Sequence, residues 1–552
     1  MYTTEPLTNF VDEYLAYLHE IEPSGATFDG VHTYDDLLED LSRSAVEKQL
    51  RELGGFARRL GTIHPRSLTP VERQERRMLE ATIRGRILEF EEIRSWELNP
   101  QYYASILAAS LASQTIFAYA PISERARRIV SRLRQVPQLI QAARTNIKDP
   151  PGIFVKIAVE TFQGTLALIE KQLPRTFAEL DDLHLLGNLA DASTEASHSI
   201  RYYLEYLRND LAPRSRASFR LGRELFEKRL RLEEGLEVAS DRLLEIGMRE
   251  LRVTQAEFQR LARELNHGEP LDAWRHVKCN HPPPGQLVKT VREQLCELKS
   301  FVERNAIIST LDDSEIVIAP TPQFNRWMSA SMWTPGPFEA SPLPSYYYIT
   351  DVEPEWLTSK QNEYLCDFNY ASLWSISIHE VFPGHFAYAQ NLRRLTTKLR
   401  KSTMFSPTSF VEGWAHYCEQ MMLEEGFHRG DEYAKLGQLS GSLIRLARLV
   451  VGIRLHTEDW SAEQGMRFFR DEAFMEELSA RREAERGASD PKNVVCTAGK
   501  LMLLKLRADY RAQQGSSYSL REFHDRLLAN GGVPLWLHRY LLLGESKGGQ
   551  LE

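Results

Sequence analysis

The sequence predicts a mainly α-helical protein that carries one small β-sheet. Three observations lead to this fold class. Apolar residues recur at three- and four-residue spacings through most of the first 275 residues. A stretch rich in Pro and Gly, at about 279–350, interrupts this pattern and contains two short segments of β-type composition. The helical pattern returns at about 354 and continues to the C-terminus.

The N-terminal half is predicted to be a series of helices separated by helix-breaking residues. Leu, Glu, Lys and Arg, which favour helices, fill the positions between the apolar residues. Asp149, Pro150, Pro151 and Gly152 predict a turn, and Pro213 marks another boundary. The predicted helices cover 8–21, 35–60, 70–95, 104–118, 122–147, 155–173, 186–208 and 217–265.

The middle stretch predicts a turn, two strands and loops. The three consecutive prolines within Cys279–Gly285 predict the turn. Ile316–Pro320 and Tyr346–Thr350 are rich in β-branched or aromatic residues and predict strands. Prolines at 335, 337, 342 and 344 favour a loop or an edge strand over a central strand. We therefore expect a helical region at 1–278 and a second region at 279–552, joined in one integrated fold.

Composition and charge argue against several classes of protein. The chain has 68 Lys and Arg residues against 76 Asp and Glu residues, a net charge of −8, and no basic stripe, so no nucleic-acid partner is expected. No signal pattern and no uninterrupted apolar run of about eighteen residues is found, so no membrane partner is expected. Five cysteines without paired spacing are typical of a reducing compartment. These features predict a cytoplasmic protein and leave its oligomeric state open.

The strongest functional signal is the heptapeptide HEVFPGH, from His379 to His385. Imidazoles and carboxylates are typical zinc ligands, and a neighbouring glutamate can deprotonate water. In the H-E-x-x-H motif the two histidines lie four residues apart on one helix face. Here the spacing is six, which puts them about 120° apart on an unbroken helix. Pro383 and Gly384 disfavour a regular helix, so we expect a bulge that returns His385 to the side of His379.

A later segment supplies the expected third ligand. Glu412 and His416 are four residues apart and share a helix face. We expect Glu412 to bind the metal and His416 to support the ligands or contact the substrate, with a buried structural histidine as the alternative. Glu380 is the candidate general base. The motifs therefore predict one Zn²⁺ ion per chain, held by His379, His385 and Glu412.

These motifs, together with Gln390 and the segment FVEGWAHYCEQ at 410–420, resemble the bacterial family known as domain of unknown function 885. The resemblance runs from about Pro320 to the C-terminus. That family is similar to the gluzincin metallopeptidases, including the thimet-oligopeptidase-like and thermostable-carboxypeptidase-like groups. The resemblance implies a large helical, clefted, gluzincin-like fold, with the sheet beside the active site and a substrate-binding edge at about 329–350.

A second segment matches the family pattern in part. His456 and Trp460 match, whereas the family has Asp and Gly where this chain has Gly452 and Arg454. The match makes His456 a candidate donor to the oxyanion that forms when a nucleophile adds to a carbonyl. A buried structural histidine is the alternative for His456.

The segment after Cys496 departs further. The family reads Pro-Gly-Gln-Ala and then Tyr, whereas this chain has Lys500 in place of the Gln and Leu504 in place of the Tyr. Leucine has no hydrogen-bond donor, and the loss of one oxyanion donor typically costs about 10²–10³ in rate. Either another hydroxyl takes this role, such as that of Tyr417 or of Tyr347 in the run 346–348, or the substrate differs.

Three functions are compatible with these residues. The leading hypothesis is a zinc-dependent, metallopeptidase-like hydrolase of short peptides or amides, with the water activated by Glu380. A second hypothesis keeps the metal and takes a non-peptide amide or ester as substrate, because several helper residues are replaced. A third is a degenerate relative that binds metal or peptide without catalysis.

Overall fold

The structure, a computed structural model, describes residues 6–266, 269–309, 314–322, 326, 329–544 and 551. Helices dominate, and one small sheet interrupts them in the middle of the chain. The predicted fold class, mainly α with one small β-sheet, is therefore confirmed.

The N-terminal half contains only helices and their connections in the part of the chain that is described. Its α-helices are α1 (Leu7–Ile21), α2 (Pro23–Asp29), α3 (Arg43–Thr62), α4 (Pro70–Leu88), α5 (Ser95–Leu98), α6 (Pro100–Ile116), α7 (Ile122–Asn146), α8 (Gly152–Ala167), α9 (Leu173–Thr176), α10 (Leu183–Tyr206), α11 (Ala212–Arg214), α12 (Arg223–Glu234), α13 (Ser240–Asn266), α14 (Pro270–Cys279) and α15 (Leu287–Arg304).

Two of the predicted helices differ most from the observed ones. The helix predicted at 35–60 begins at Arg43, because the Ser42 side chain caps it by accepting a hydrogen bond from the Ala45 N–H. The helix predicted at 217–265 is two helices, α12 and α13, separated after Gly235. Gly235 has a φ of 68°, and a Cβ atom there would lie 2.6 Å from the Trp536 ring.

The sheet has three strands in the order β1 (Ile316–Pro320), β3 (Ser345–Ile349), β2 (Ala330–Trp333). β1 is parallel to β3, β2 is antiparallel to it, and both Ile318 and Met332 pair with Tyr347. β1 and β3 correspond to the two predicted strands, and β3 begins and ends one residue early. β2 was not predicted, because its four residues lie among prolines and pair only with a strand that follows in sequence.

The C-terminal helices hold the predicted motifs. They are α16 (Thr358–Leu365), α17 (Tyr370–Glu380), α18 (His385–Arg394), α19 (Lys398–Lys401), α20 (Thr408–Glu424), α21 (Glu432–Thr457), α22 (Ala462–Glu472), α23 (Glu477–Ser489), α24 (Val495–Gln514), α25 (Leu520–Ala529) and α26 (Leu535–Leu543).

Glycines allow the motif-bearing helices to pack closely. A Cβ atom on Gly437 of α21 would lie 2.4 Å from the carbonyl group of Ala371 on α17. A Cβ atom on Gly499 of α24 would lie 1.8 Å from the carbonyl oxygen of Ser409 on α20, and Gly413 of α20 faces the same contact. Backbone contacts of this kind fix α17, α20, α21 and α24 relative to one another, since no side chain separates them.

The buried apolar residues form three clusters. The first runs from Phe226 to Leu542 and surrounds the motif-bearing helices. The second, from Leu38 to Leu211, belongs to the N-terminal helices alone. The third joins residues of 7–96 to residues of 399–537, so the first helices pack against the last ones. Apolar packing thus crosses residue 278, and the two-region division stays a prediction.

Two helical stretches, Gly152–Thr176 and Glu432–Thr457, are long and apolar enough to cross a membrane by length and composition. The second is α21, whose most apolar part is 72% buried; α21 packs against α13 and α17. The most apolar part of the first stretch is 39% buried, and α8 within it packs against α6 and α10. Core helices of soluble proteins can have the same length and composition, so these two properties alone do not establish a membrane span.

Candidate metal centre

The two motif histidines lie at the ends of two helices with a sharp turn between them. α17 ends at Glu380, α18 begins at His385, and the turn contains a cis peptide bond between Phe382 and Pro383. The Gly384 N–H donates to the Ile378 carbonyl at 3.1 Å. A Cβ atom on Gly384 would lie 1.8 Å from the His379 carbonyl oxygen, so only glycine fits here. The expected bulge is therefore a break between two helices.

This turn brings the three predicted ligands together. The Nε2 atom of His379 lies 3.5 Å from one oxygen of Glu412, and Nε2 of His385 lies 3.7 Å from the other. One ligand atom from each side chain lies within 4.8 Å of the others. Ligand atoms about 2.0–2.2 Å from a tetrahedral zinc ion lie roughly 3.3 Å from one another. His379, His385 and Glu412 therefore fit a single zinc ion.

The charges of His379 and Glu412 favour a bound cation at this position. Burial lowers the pKa of His379, but the carboxylates of Glu412 and Glu419 outweigh burial and raise it to about 9. Burial raises the pKa of Glu412, but His379 and His385 outweigh it and hold that pKa well below its usual range. A bound cation would replace the proton on His379 as the partner of Glu412.

Glu419 holds His379 from behind and was not predicted from the sequence. Its Oε1 atom lies 2.8 Å from Nδ1 of His379, and its Oε2 atom accepts a hydrogen bond of 2.9 Å from the Ser375 hydroxyl. Glu419 is fully buried and three residues after His416 on α20. A carboxylate that accepts the Nδ1 proton leaves the Nε2 lone pair free for a metal. The spacing of Glu412, His416 and Glu419 on one helix face was the signal available for this residue.

Arg445 of α21 completes the support and was also not predicted. Its Nη2 atom lies 2.9 Å from Oε1 of Glu419 and 3.3 Å from Nδ1 of His379. Burial raises the pKa of Glu419, but Arg445, His416 and His379 together outweigh burial and hold that pKa well below its usual range. His416 is buried, with Nδ1 3.3 Å from Oε2 of Glu419. His416 therefore lies among the supporting groups, which is one of the two positions predicted for it.

Glu380 lies beside the ligands with its carboxylate free. It is half-buried, and within the described ranges it makes neither a hydrogen bond nor an ion pair. Its charge acts on both His385 and Tyr347, so it lies between the predicted metal ligands and the sheet. The Tyr347 hydroxyl is 3.4 Å from the Ser377 hydroxyl and is fully buried. A free carboxylate next to three converging ligands is suited to accept a proton from water.

Two predicted site residues do not join this group. The Tyr417 hydroxyl lies 2.9 Å from Nε2 of His524 and accepts a hydrogen bond of 3.1 Å from Arg507, on a different side of α20. His456 is buried against the Phe226 ring, with Nε2 2.9 Å from the Gly487 carbonyl oxygen. His456 follows Arg445 by eleven residues on α21, about 16 Å along the helix. The expected roles of Tyr417 and His456 in stabilising an oxyanion are therefore corrected to structural ones.

The departures from the family pattern also have structural explanations. A Cβ atom on Gly452 would lie 2.5 Å from a methyl group of Val494, so no aspartate fits in this packing. The Arg454 guanidinium lies 4.6 Å from the centre of the Trp460 ring. Leu504 packs against the main apolar cluster. These three positions serve packing.

Lys500 differs from the other three departures. It is buried, and its Nζ atom is 3.5 Å from the Ser442 hydroxyl. Burial lowers its pKa to about 8, against the opposing effect of Glu419. Lys500 therefore belongs to the supporting groups behind His379. The replacement of the family's Gln by Lys500 lies outside the triad of His379, His385 and Glu412.

Comparison with known proteins places this chain in a family. The family model described as a bacterial protein of unknown function (DUF885) matches residues 23–539. The match reaches far into the N-terminal half, beyond the Pro320 boundary that the motifs indicated, because no N-terminal motif marked it. No curated protein matches the chain.

Two solved structures share the fold over almost the whole chain. A candidate lipoprotein of unknown function from Shewanella oneidensis has a TM-score of 0.80 and 23% identity, covering 98% of this chain and 100% of its own. A candidate lipoprotein from Colwellia psychrerythraea has a TM-score of 0.79 and 17% identity, covering 97% of this chain and 98% of its own. At these identities the likeness concerns the fold alone. By the match over residues 23–539, the chain belongs to the bacterial family of unknown function DUF885.

Proposed function

We propose that this protein is a zinc-dependent hydrolase of short peptides or amides, with an arrangement of ligands like that of the gluzincin metallopeptidases. The observation that carries the proposal is the convergence of His379, His385 and Glu412 beside the Glu380 carboxylate, which is unpaired within the described residues. Three protein ligands leave a fourth position open, which is typical of catalytic zinc sites and not of structural ones. The chain would bind one Zn²⁺ ion.

Each residue has a definite task in this proposal. A zinc ion held by the triad would polarise a substrate carbonyl and lower the pKa of water. Glu380 takes a proton from the attacking water and gives it to the leaving amine. Glu419 and Arg445 keep Nε2 of His379 directed at the ligand position.

A second candidate keeps the metal and changes the substrate to a non-peptide amide or ester. Leu504 packs against the main apolar cluster and provides no hydroxyl at the position where the family pattern has tyrosine, and the Tyr417 hydroxyl is bonded to His524 and Arg507. Both proposals require Glu380. A third candidate, a relative that binds metal or peptide without catalysis, has no use for that free carboxylate.

Metal analysis and one substitution test these candidates. We expect the purified protein to hold one zinc ion and to cleave members of a mixed library of short peptides. Glu380→Gln should keep the zinc and lose at least a hundredfold in rate, because the general base is gone. Glu179→Gln, at an exposed glutamate of the N-terminal region, serves as the control and should change neither.

The possible results separate the candidates. Zinc binding without peptide cleavage moves the proposal to non-peptide amides and esters. If a panel of such compounds is also left intact, the degenerate relative is the correct description. If the protein binds no metal and His379→Ala changes nothing, the proposed metal centre is wrong.

Location is a further part of the proposal. Cysteine usage predicts a cytoplasmic protein, while both structural relatives are described as candidate lipoproteins. Fractionation of native cells, followed by immunodetection, distinguishes the two. Recovery in the soluble cytoplasmic fraction supports the first, and recovery with membranes that resists high salt supports the second.

A further inference from the structure

A histidine near the N-terminus lies between two carboxylates from distant parts of the chain. Nδ1 of His32 is 2.9 Å from an oxygen of Asp35, and Nε2 is 3.0 Å from an oxygen of Glu339. Glu339 belongs to the loop 334–344, which joins β2 to β3. The His32 ring stacks on Tyr119 with 3.8 Å between the ring centres, and the Tyr119 phenol stays neutral because burial raises its pKa. His32 therefore links the N-terminal helices to the β2–β3 loop.

These contacts determine the protonation state of His32. A neutral imidazole has one N–H and one lone pair, and a lone pair that faces a carboxylate is repelled by it. The ring of His32 can bind Asp35 and Glu339 together only when both of its nitrogens carry a proton. Burial lowers the pKa of His32, but the hydrogen bonds to the two carboxylates outweigh burial and raise that pKa to about 9. His32 is therefore an imidazolium at neutral pH.

Two arginines of α7 are the other charged groups that face this cluster, and both lie beside Asp35. Arg128 is 2.7 Å from the Asp35 carboxylate, and the fully buried Arg132 is 3.9 Å from it. Glu339, in contrast, forms an ion pair with His32 alone within the described ranges. Its side chain is only 7% exposed, so loss of the His32 proton leaves a nearly buried carboxylate without a cation.

The β2–β3 loop rests directly on the end of α2, next to this cluster. The Phe338 N–H donates to the Asp29 carbonyl at 2.9 Å. A Cβ atom on Gly30 would lie 2.6 Å from the backbone nitrogen of Glu339, so the two backbones are in contact. Glu339 is also the one ionisable side chain of the loop. The position of the loop against α2 therefore depends on pH through the pair of His32 and Glu339.

The other contacts of the loop lead to the helices of the candidate metal centre. The Arg393 guanidinium donates to the Ser341 carbonyl at 3.4 Å, and Arg393 belongs to α18, which begins at His385. The strand before the loop, β2, packs against α17, which ends at Glu380. The loop thus lies between the N-terminal helices and the two helices that carry the HEVFPGH motif.

We propose that His32 is a pH-sensitive clasp, whose imidazolium holds the β2–β3 loop on the end of α2 and whose loss of a proton to the solvent releases the loop. In the unfolded chain the pKa of His32 is near 6.5. The contribution of the clasp to the free energy of unfolding is therefore complete below pH 6.5, and it is lost as the pH rises through about 9. The clasp requires neither metal nor substrate, so it goes beyond the proposed hydrolase function.

Hydrogen exchange of the metal-free full chain, measured by mass spectrometry, tests the clasp. Exchange rates are corrected for the intrinsic dependence of amide exchange on pH. The amides of 334–344 should be protected at pH 7 and should lose protection at least tenfold at pH 9.5. The amides of α10, which carries none of the clasp residues, provide the internal control and should keep their protection at both pH values.

Two substitutions assign the effect to the clasp. His32→Gln cannot become a cation, so its loop should exchange at pH 7 as the unmodified loop does at pH 9.5. Glu339→Gln keeps the size of the side chain, and glutamine can accept from an imidazolium or donate to a neutral imidazole. In that variant the protection of the loop should therefore be the same at both pH values. His198→Gln, at an exposed histidine of α10, is the matched control and should keep the pH dependence of the unmodified protein.

Two results would overturn the clasp. One is a loop that is equally protected at pH 7 and pH 9.5 in the unmodified protein, and the other is a pH dependence that survives in His32→Gln. The first needs no variant, so the proposal can fail even if a substituted chain does not fold. Neither result bears on the hydrolase proposal, which zinc analysis and peptide cleavage test separately.

Discussion

Glu419 shows how one buried residue can control the affinity of the proposed metal site. Replacing it with glutamine keeps its size but removes the negative charge that faces His379 and Arg445. Loss of a carboxylate that orients a ligating histidine typically lowers metal affinity 10- to 100-fold. We predict a decrease of about this size for Glu419→Gln, measured by competition with a chromogenic zinc chelator.

The control for this prediction is Glu425→Gln, at an exposed residue that follows the end of α20. It should leave zinc affinity unchanged. Circular dichroism at the temperature of the titration shows whether Glu419→Gln is folded, which separates lost affinity from lost structure. An unchanged zinc affinity in folded Glu419→Gln would show that this carboxylate does not orient the ligand.

The sequence allowed the converging group of His379, His385 and Glu412 to be predicted but not most of the residues that support it. His379, His385 and Glu412 stand in two short segments, and the spacing within each segment indicates the chemistry. Arg445 reaches the site only because α21 packs beside α17 and α20, which no local pattern records. Tyr417, one of the hydroxyls that the sequence offered as a helper, points away from this group because it lies five residues after Glu412, about 140° around the helix.

At the scale of elements, the turn between α17 and α18 determines whether the two histidines meet. The backbone of Gly384 touches that of His379, and a Cβ atom would lie 1.8 Å from the His379 carbonyl oxygen. Gly384→Ala must therefore push the turn open and move His385 away from His379. We predict a loss of about 1–3 kcal/mol in the free energy of unfolding together with loss of stoichiometric zinc.

Gly187 offers a matched control for the glycine substitution. It lies in α10, and nothing lies within 4 Å of a Cβ atom placed there. Gly187→Ala should be neutral or stabilising by up to about 1 kcal/mol, because alanine is the better helix former. Urea unfolding and zinc analysis of both variants make the comparison, and full zinc occupancy in Gly384→Ala would contradict the role of the turn.

Helices were easier to predict than strands for a physical reason. A helix buries one face at a period that a single segment of sequence displays, as α7 and α10 do. The strand β2 has only four residues, and its pairing with β3 depends on residues that lie further along the chain. The break at Gly235 also required tertiary information, because the ring of Trp536 fills the space beside it.

At the scale of the whole molecule, the N-terminal helices are fixed to the motif-bearing region through buried polar groups. Asp29 of α2 is fully buried, lies 3.0 Å from Nε2 of His19, and accepts hydrogen bonds from the Ser402 hydroxyl and the Thr403 N–H. Gly336 also touches the backbone of Asp29. These contacts were not predictable, because the N-terminal sequence carries no motif and its partners lie more than 300 residues away.

Buried histidines predict how the stability of the whole molecule depends on pH. Burial lowers the pKa of His456 and of His524 to about 4 and that of His538 to about 3. In the unfolded chain each of these histidines has a pKa near 6.5. Below that pH the unfolded state therefore binds protons that the folded state does not bind. The contribution of these three histidines to the free energy of unfolding should therefore be constant above pH 6.5. It should decrease as the pH falls toward 4.

The size of this effect can be measured and assigned. Each histidine should remove about 1.4 kcal/mol per pH unit between roughly 6 and 4. Urea unfolding at pH 7.5 and 5.5, with a chelator present so that metal loss does not contribute, gives the slope. His538→Phe, at a site that packs against the Phe410 ring, should reduce the slope by about 1.4 kcal/mol per pH unit, the contribution of one such histidine. An unchanged slope in that variant, or stability that is flat down to pH 5, would mean that these histidines do not stay neutral in the fold.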